Sequence, residues 1–434
     1  MLFRRIRQPQ VVGQLLAGIA LGPSLLGRFG GPVFHAIFPG TIIPYLNVTS
    51  QVALILFLFA VGYELDLGVL RRQRGSVPAI GVAAFFAPAL MGLGSVAAFS
   101  GLYRSAGEFH PKMPEFALYM AVALSITAVP VLASIVRERG ITASVPGVTA
   151  LASAALIDAL GWLMLAGVLL LASASSSSQR PWWSTVGLLI GYVAIGLFIV
   201  RPVLRRCLIE GIARKAGRGG SLAFYVPVAV AVAMCSAWVT SALGLHVIFG
   251  AFFGGLIMPR RKDGTPDPDL LRPMNQAGGI LLPVFFMVAG LSVNITMLGW
   301  PDLALLGIVL VIAVAGKLGA GFLTGRCTGL GGRDSAAVGA LLNTRGLTEL
   351  VALNVGLAAG LINQRLYTVL VLMALATDLM TGPLLSLLRV RPPDLVAVPL
   401  QWEAQAARSR EPSDAAVPGP GQPAAPADGD YENQ

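Results

Sequence analysis

A few charged residues lie inside long apolar segments of this 434-residue sequence, and they are the first candidates for chemistry. The segments that hold them have about twenty residues each, enough to cross a roughly 30 Å hydrocarbon core as a helix. A charge at that depth is costly and generally faces a partner, a cavity or an ion path. The candidates are Asp158, Lys317, Arg345, Glu349 and Asp378.

Asp158 stands midway along the otherwise apolar stretch Ala154-Ala-Leu-Ile-Asp-Ala-Leu-Gly-Trp162. A carboxylate there can bind a small cation or a proton. The alternative is a structural carboxylate that pairs with Lys317 or Arg345. We favour the functional role, because no structural requirement places an acid so deep in an apolar segment.

Two of the apolar segments are interrupted. In Ser125-Ile-Thr-Ala-Val-Pro130, the proline lacks a backbone donor and disfavours helix at Val129. A broken helix there would offer backbone carbonyls and the Thr127 hydroxyl to a cation, whereas a simple proline kink is the alternative. The second interruption is the polar island Asn343-Thr-Arg-Gly-Leu-Thr-Glu-Leu350, which includes Gly346.

Interrupted helices at corresponding positions of two halves indicate an inverted-repeat transporter with its site at the membrane midplane. Arg345 and Glu349 are four residues apart and would pair on one face if the backbone is helical there. If the helix is broken, Arg345 would instead offset negative charge. Lys317 is either a proton-titrating group or a fixed counter-charge.

The remaining polar residues in or near apolar segments carry less weight. Asp378 is as well suited to a structural as to a functional role. His246 lies at a segment boundary and fits packing or an interface. Glu64 and Asp66 fit charges at the end of a helix.

Composition and segment length predict an all-α polytopic membrane protein. The chain is 55% apolar and only 12% charged, which excludes a soluble enzyme with a single anchor. Twelve transmembrane segments are predicted, and the eighth is short for a crossing. They cover about 9–27, 46–70, 76–102, 115–136, 144–173, 182–204, 221–243, 245–259, 275–298, 301–325, 334–360 and 366–388. Segments 3–5 and 10–12 would form the two repeats.

The basic residues predict the orientation of the segments. Of the 31 Lys and Arg residues, 24 fall in alternate connections and termini on one side, which makes that side cytoplasmic. The predicted outer connections hold Arg28, Arg104, Lys112, Arg180 and Arg365. The formal charge of +10 therefore reflects topology and gives no reason to expect a nucleic-acid partner. Both termini are predicted to be cytoplasmic.

The domain prediction is a transmembrane domain over residues 1–390 and a disordered cytoplasmic tail over 391–434, which is rich in Pro, Ala and Gly. Core helices are expected over about 76–173 and 301–388, with the remainder as scaffold. No nucleophile–base arrangement or metal-ligand cluster appears, so we expect neither an enzyme nor a cofactor.

The chain resembles the monovalent cation/proton antiporter superfamily, the sodium/hydrogen exchanger family, in its Kef-like and plant cation/hydrogen exchanger-like branch. The resemblance covers about residues 8–389, and its motifs are specific together but weak singly. They are Gln8-Pro-Gln-Val-Val-Gly-Gln-Leu-Leu-Ala-Gly18 with Leu21-Gly-Pro23, Phe57-Leu-Phe-Ala-Val-Gly-Tyr-Glu-Leu-Asp66, Ser125-Ile-Thr-Ala-Val-Pro-Val-Leu132, Pro283-Val-Phe-Phe through Gly290, and Asn343 through Leu350.

The resemblance implies a sodium/proton antiporter-like fold of inverted repeats, with two crossed broken helices and a core that moves against a dimerisation scaffold. It implies that Asp158 and Thr127 bind the ion and the proton, the only metal being the transported cation. Lys317, Arg345 and Glu349 would be charge-compensating or proton-linked, and Pro130 and Gly346 would mark the breaks.

Two departures from the family pattern stand out. Many relatives have a second polar residue, Asp or Asn, before the site aspartate, whereas this chain has Ile157. Lys317 therefore lacks its usual carboxylate partner, which bears on electrogenicity and ion choice. Relatives also commonly have a further helix before the Gln8 motif, which only seven residues precede here.

We therefore expect a secondary antiporter that exchanges Na⁺ or K⁺ for H⁺ and works electroneutrally. It is expected in the lipid bilayer of the cell membrane, most simply that of a bacterium, as a homodimer. One alternative is a Kef-like gated K⁺ efflux system whose nucleotide-binding control domain comes from a separate subunit, since the tail is too short to supply one. Another is an exporter of an organic cation or an ionophore.

The orientation prediction can be tested with reporter fusions at Gly30 and at Gly217. Because the basic residues place these loops on opposite sides, a reporter active only in the cytoplasm should be active at Gly217 and inactive at Gly30. Fusions that report the same side at both positions would contradict the twelve-segment topology.

Overall fold

The computed structural model describes residues 10–64, 75–105, 112–141, 144–175, 182–207, 221–243, 246–261 and 266–388. Within these ranges the protein is helical and contains no strand. Asp66, the first nine residues and the tail after residue 388 lie outside the described residues, so the disorder predicted for the tail stays a prediction.

Fourteen helices of ten or more residues make up the described part of the chain. The first seven are α1 (Gln10–Leu21), α2 (Ile43–Glu64), α3 (Ser76–Ala98), α4 (Met113–Ser125), α5 (Val129–Glu138), α6 (Val145–Ser175) and α7 (Trp182–Ile195). The others are α8 (Ser221–Ala242), α9 (Val247–Ile257), α10 (Pro268–Leu291), α11 (Trp300–Cys327), α12 (Gly332–Leu342), α13 (Leu347–Ala358) and α14 (Gln364–Leu387).

Nine helical stretches among the described residues are long and apolar enough to cross a membrane, and they follow the predicted segments closely. Three shorter apolar helices, α4, α9 and α13, occupy positions where the sequence predicts the fourth, eighth and eleventh segments. The polytopic helical fold is therefore as predicted, whereas the count of twelve crossings stays a prediction.

Side chains cap several of the long helices where the chain enters them. The Asp302 carboxylate accepts a hydrogen bond from the Gly299 amide at 2.8 Å at the start of α11. Asn363 caps α14 by accepting from the Leu366 amide at 2.9 Å. Such caps satisfy backbone donors that have no partner inside the helix, which matters most beside an apolar phase.

The helices pack in two sets. In one set α2 contacts α9 and α10, α8 contacts α9, and α1 contacts α10. In the other set α3 contacts α4, α6 and α11, while α11 also contacts α12 and α14. The second set (the core set) consists of helices within the residues for which a core is predicted. The division of the protein into a core and a scaffold stays a prediction.

Small residues allow the core helices to approach closely. A Cβ at Gly316 in α11 would lie 2.9 Å from the Cβ of Pro88 in α3, so no larger residue fits without displacing one helix. This close approach brings α11 against the helices of the first repeat. Lys317, the next residue, is fully buried at this crossing.

The core set contains the same order of elements twice. A long helix (α3 or α11) precedes two half-helices (α4 and α5, or α12 and α13), and a second long helix (α6 or α14) follows. The two interruptions therefore occupy equivalent places in the two repeats. Every candidate site residue of the described chain lies on these eight helices or in the breaks between them.

Candidate functional site at the two helix breaks

The first break separates α4 from α5. Ile126 and Ala128 are extended, with φ/ψ of −63°/145° and −89°/100°, and α5 starts at Val129. Pro130 is the second residue of α5, where a missing N–H costs no intrahelical hydrogen bond. The chain is thus truly interrupted, and the interruption precedes Val129 and Pro130, whereas the sequence predicts it at Val129.

The second break separates α12 from α13. Asn343 caps the carboxyl end of α12, and Gly346 precedes α13 with φ 133° and ψ −127°. This positive φ is a conformation that side chains other than that of glycine adopt only at a cost. A Cβ at Gly346 would also lie 2.7 Å from Cγ2 of Val131 in α5, so the glycine allows both the turn and the contact with the first break.

The two breaks satisfy each other's backbone groups. The Ala128 amide donates to the Thr344 carbonyl at 3.3 Å, and the Thr127 hydroxyl donates to the Leu342 carbonyl at 3.1 Å. Thr348 donates from its hydroxyl to the Thr127 carbonyl at 3.4 Å. Extended backbone at membrane depth requires such protein partners, because lipid supplies none.

Two cationic side chains meet the carbonyl end of α4. Lys317 Nζ donates to the Ser125 carbonyl and, at 2.7 Å, to Thr127 Oγ1. Arg345 donates to the Ala123 carbonyl at 3.1 Å and to the Leu124 carbonyl at 2.6 Å. The carboxyl end of a helix carries partial negative charge, so these cations stabilise the end of α4.

Arg345 and Glu349 form a buried ion pair, with 2.7 Å between Arg345 Nη1 and Glu349 Oε1. The sequence predicts this pair for a continuous helix and a charge-offsetting Arg345 for a broken one. The structure combines the two, because Arg345 precedes the start of α13 and its long side chain reaches Glu349 in the first turn. Neither side chain is exposed.

Asp158 lies on α6 beside the amino end of α5. Its carboxylate faces the Val129 amide and lies close enough to Lys317 for the two charges to interact. Among the described residues, however, no Lys or Arg nitrogen comes within 4.0 Å of its oxygens, so the alternative of a structural ion pair is not what the structure shows. Oδ1 is buried and has no protein hydrogen-bond partner there.

Asp378 on α14 holds the equivalent position at the second break. Its Oδ1 accepts from the Arg345 amide at 2.7 Å, and the side chain is 3% exposed. Each repeat thus places one carboxylate near the amino end of the half-helix that follows its break. Asp158 lies near Val129 at the start of α5, and Asp378 binds the Arg345 amide just before α13. The sequence does not decide between a structural and a functional Asp378, whereas the structure brings it into the site.

Ile157, the residue before Asp158, belongs to an apolar cluster. It is fully buried there with side chains of α3, α5 and α12, including Phe85, Leu132 and Leu341. A carboxylate in that cluster would lack polar partners. Lys317 instead donates to the Ser125 carbonyl and to the Thr127 hydroxyl.

Other residues singled out from the sequence lie outside the site. Glu64 is exposed at the end of α2 and accepts from Asn275 at 3.2 Å. His246 precedes α9 as its capping residue.

Sequence reasoning missed the individual role of Asn343, which belongs to the predicted polar island but carries no charge to single it out. It predicted free carbonyls at the first break, but not that those of Ala123, Leu124 and Ser125 accept from Lys317 and Arg345.

Comparison with known proteins identifies the class to which this fold and site belong. Residues 1–390 match the family model described as the transmembrane region of sodium/hydrogen exchangers. The chain belongs to the sodium/hydrogen exchanger family, and it is a multi-pass membrane protein of this transporter class.

Individual relatives agree with this assignment. The chain is 35% identical over 393 residues to cation/H⁺ antiporter 20 of Arabidopsis thaliana, covering 88% of this chain and 46% of that protein. It is 34% identical over 391 residues to the Na⁺/H⁺ antiporter NhaS4 of Synechocystis sp., covering 88% of this chain and 92% of that protein. The chain thus spans about half of the plant relative and nearly all of the cyanobacterial one.

The fold is similar to that of the sodium/proton antiporter MjNhaP1 from Methanocaldococcus jannaschii, whose structure at pH 8 aligns with a TM-score of 0.60. The alignment covers 89% of this chain and 94% of that chain, at 16% identity. At this identity the likeness establishes the fold: an antiporter-type arrangement of inverted repeats with two crossed broken helices.

Replacement of Gly346 by alanine tests the geometry of the second break. We expect Gly346→Ala to destabilise the protein by about 1–3 kcal/mol, because a Cβ strains the positive φ and collides with Val131. Thermal unfolding in detergent measures the change. Gly319→Ala on α11 is the matched control, since nothing lies within 4 Å of its added Cβ. Equal unfolding midpoints for the two variants would contradict the assigned backbone strain.

Proposed function

We propose that the protein exchanges a monovalent cation, Na⁺ or K⁺, for a proton by alternating access, with Asp158 as the group on which the two ions compete. The relatives are named as cation/proton and sodium/proton antiporters, which supports this class of transport. The observation that carries the proposal is the Asp158 carboxylate, which is 5% exposed and has one oxygen without a partner in the described protein.

The charges around the breaks support an exchange of one ion for one proton. Three acids and two bases there are each at most 5% exposed: Asp158, Glu349, Asp378, Lys317 and Arg345. If all five are ionised, their formal charge sums to −1. One monovalent cation or one proton therefore brings the group to neutrality, and an uncompensated charge at this depth is costly.

The contacts of the other four charged groups leave Asp158 as the group that takes this extra positive charge. Glu349 pairs with Arg345, and Asp378 accepts from the Arg345 amide. Lys317 is bound to the carbonyl end of α4. Of the three acids, Glu349 is ion-paired and Asp378 accepts from a backbone amide, whereas Asp158 has no ion pair and one oxygen without a partner among the described residues. Protonation or cation binding at that oxygen therefore breaks no existing contact.

Thr127 contributes to this site through its position between the two breaks. Its hydroxyl donates a hydrogen bond to the Leu342 carbonyl and accepts one from Lys317. A hydroxyl oxygen has two lone pairs, so one lone pair is left for a cation. Its second role is structural, because it links the carbonyl end of α12 to Lys317.

The proposal includes the cell membrane as the site of action, with both termini in the cytoplasm and two copies assembled through the scaffold. Support for the assembly comes from the helical stretch Gly187–Cys207. Only 6% of the residues in its most apolar part are buried inside the protein. So exposed a helix faces lipid or a second copy. The basic residues support the orientation.

The exchange proposal is tested by Asp158→Asn, which keeps the size of the side chain and removes the charge on which the ions compete. We expect cation-driven dequenching of a ΔpH-sensitive dye in everted vesicles to fall to the level of vesicles without the protein. Asp302→Asn is the matched control: it alters a buried acid that caps α11 outside the site and should retain exchange. An Asp158→Asn variant with near-normal exchange would remove Asp158 as the coupling group.

The one-for-one cycle predicts electroneutral exchange, since Lys317 stays fixed to the carbonyl end of α4 and keeps its proton. Cation efflux from proteoliposomes should be independent of clamped membrane potential. If each cycle moved one uncompensated charge across the membrane, a potential of 100 mV would change the free energy of the cycle by about 2.3 kcal/mol.

A reversal point that shifts with voltage would refute this cycle. Loss of that shift in Lys317→Gln would then assign the additional proton to Lys317. The same vesicles, assayed with Na⁺, K⁺ and a panel of organic cations, would determine which cation is exchanged.

A further inference from the structure

Asn343 is a buried polar side chain whose hydrogen-bonding capacity the described protein leaves unused. It is the capping residue that follows α12 and has no exposed surface. Neither its Oδ1 nor its Nδ2 has a hydrogen-bond partner among the described residues. Leaving a buried amide unpaired costs about 1–3 kcal/mol, so such a group in a folded protein requires an explanation such as a bound water or ion.

The carbonyl ends of the two broken helices differ in charge. The end of α4 binds Lys317 and Arg345. In the described protein, the end of α12 binds no charged side chain: Leu342 accepts from the Thr127 hydroxyl, and Thr344 accepts from the Ala128 amide. Partial negative charge at the end of α12 therefore remains available to a cation from outside the chain.

Three consecutive residues connect this helix end to Asp158. Thr127 contacts Leu342, Ala128 contacts Thr344, and the Val129 amide faces the Asp158 carboxylate. Asn343 lies between Leu342 and Thr344 in the chain. Asn343 is thus adjacent in sequence to two residues that bond to this stretch, and Asp158 faces its third residue.

We propose that Asn343 is a second protein ligand of the transported cation, which it binds through Oδ1 together with carbonyl oxygens at the end of α12. This inference rests on the proposed exchange function and adds to it a ligand that the proton does not use. Na⁺ and K⁺ bind oxygen donors, and the carboxyl ends of half-helices are suited to them. A proton needs only the Asp158 carboxylate. Asn343 therefore contributes to the binding of the cation and does not contribute to the binding of the proton.

The first experiment compares Asn343→Leu with Asn354→Leu in proteoliposomes. Leucine is similar in size to asparagine but has no oxygen. We expect Asn343→Leu to raise the half-saturating concentration of Na⁺ or K⁺ by about tenfold or more. The dependence on proton concentration at saturating cation should not change. Asn354 is the matched control, since its amide donates to Leu350 and Tyr367 away from the breaks, and its variant should keep the wild-type half-saturating concentration.

The second experiment measures thermal unfolding of the full chain in detergent, with NaCl or KCl and with N-methylglucamine chloride at equal ionic strength. The alkali cations should raise the unfolding midpoint of the wild-type protein. In Asn343→Leu this increase should disappear, while the midpoint without alkali cation should match or exceed that of the wild type, because an unpaired amide has been removed. Asn354→Leu should lower the midpoint, because it removes satisfied hydrogen bonds.

The outcomes separate this inference from the exchange proposal. If Asn343→Leu keeps the wild-type half-saturating concentration while Asp158→Asn abolishes exchange, Asn343 is not a cation ligand and the exchange proposal stands. Equal changes in cation and proton dependence would also overturn the inference, since they indicate a structural role. If the wild-type protein shows neither exchange nor stabilisation by Na⁺ or K⁺, both proposals are wrong.

Discussion

Backbone interrupted inside a membrane must find its hydrogen-bond partners within the protein, and the whole core depends on how this is done. Each break leaves one carbonyl end and one amide end without a continuing helix. The two breaks lie against each other, so that Ala128 binds Thr344 and Thr127 binds Leu342. The position of one break therefore determines that of the other, and the surrounding helices must approach closely enough to hold both.

The four helix ends are compensated unequally, and the proposed cation site lies at the least compensated end. Lys317 and Arg345 place two full charges at the carbonyl end of α4. Asp158 and Asp378 lie beside the amide ends that start α5 and α13. The carbonyl end of α12 has only neutral donors among the described residues. A core with every end fully neutralised would have no electrostatic reason to take up an ion.

Close packing makes these contacts possible. Gly316 allows α11 to touch Pro88 of α3, which buries the adjacent Lys317 at the first break. Gly346 supplies the positive φ that turns the chain at the second break and leaves room for Val131. Neither glycine carries chemistry, yet both determine where the charged groups lie. Side chains larger than glycine at either place would separate the elements that share the site.

The sequence by itself determined the membrane-spanning helical fold and its two interruptions, and it singled out most of the charged residues that are buried beside them. The reason is energetic: apolar runs and deep charges have few alternative placements in a membrane, so Asp158, Lys317, Arg345 and Glu349 stand out in the sequence. Only the tertiary structure decided which groups meet. It showed that Arg345 reaches Glu349 across a break, that Asp378 belongs to the site and that Asn343 is buried without a partner. These facts depend on backbone carbonyls and amides brought together by packing, and main-chain groups are the same at every residue, so no side-chain pattern records which of them will be used.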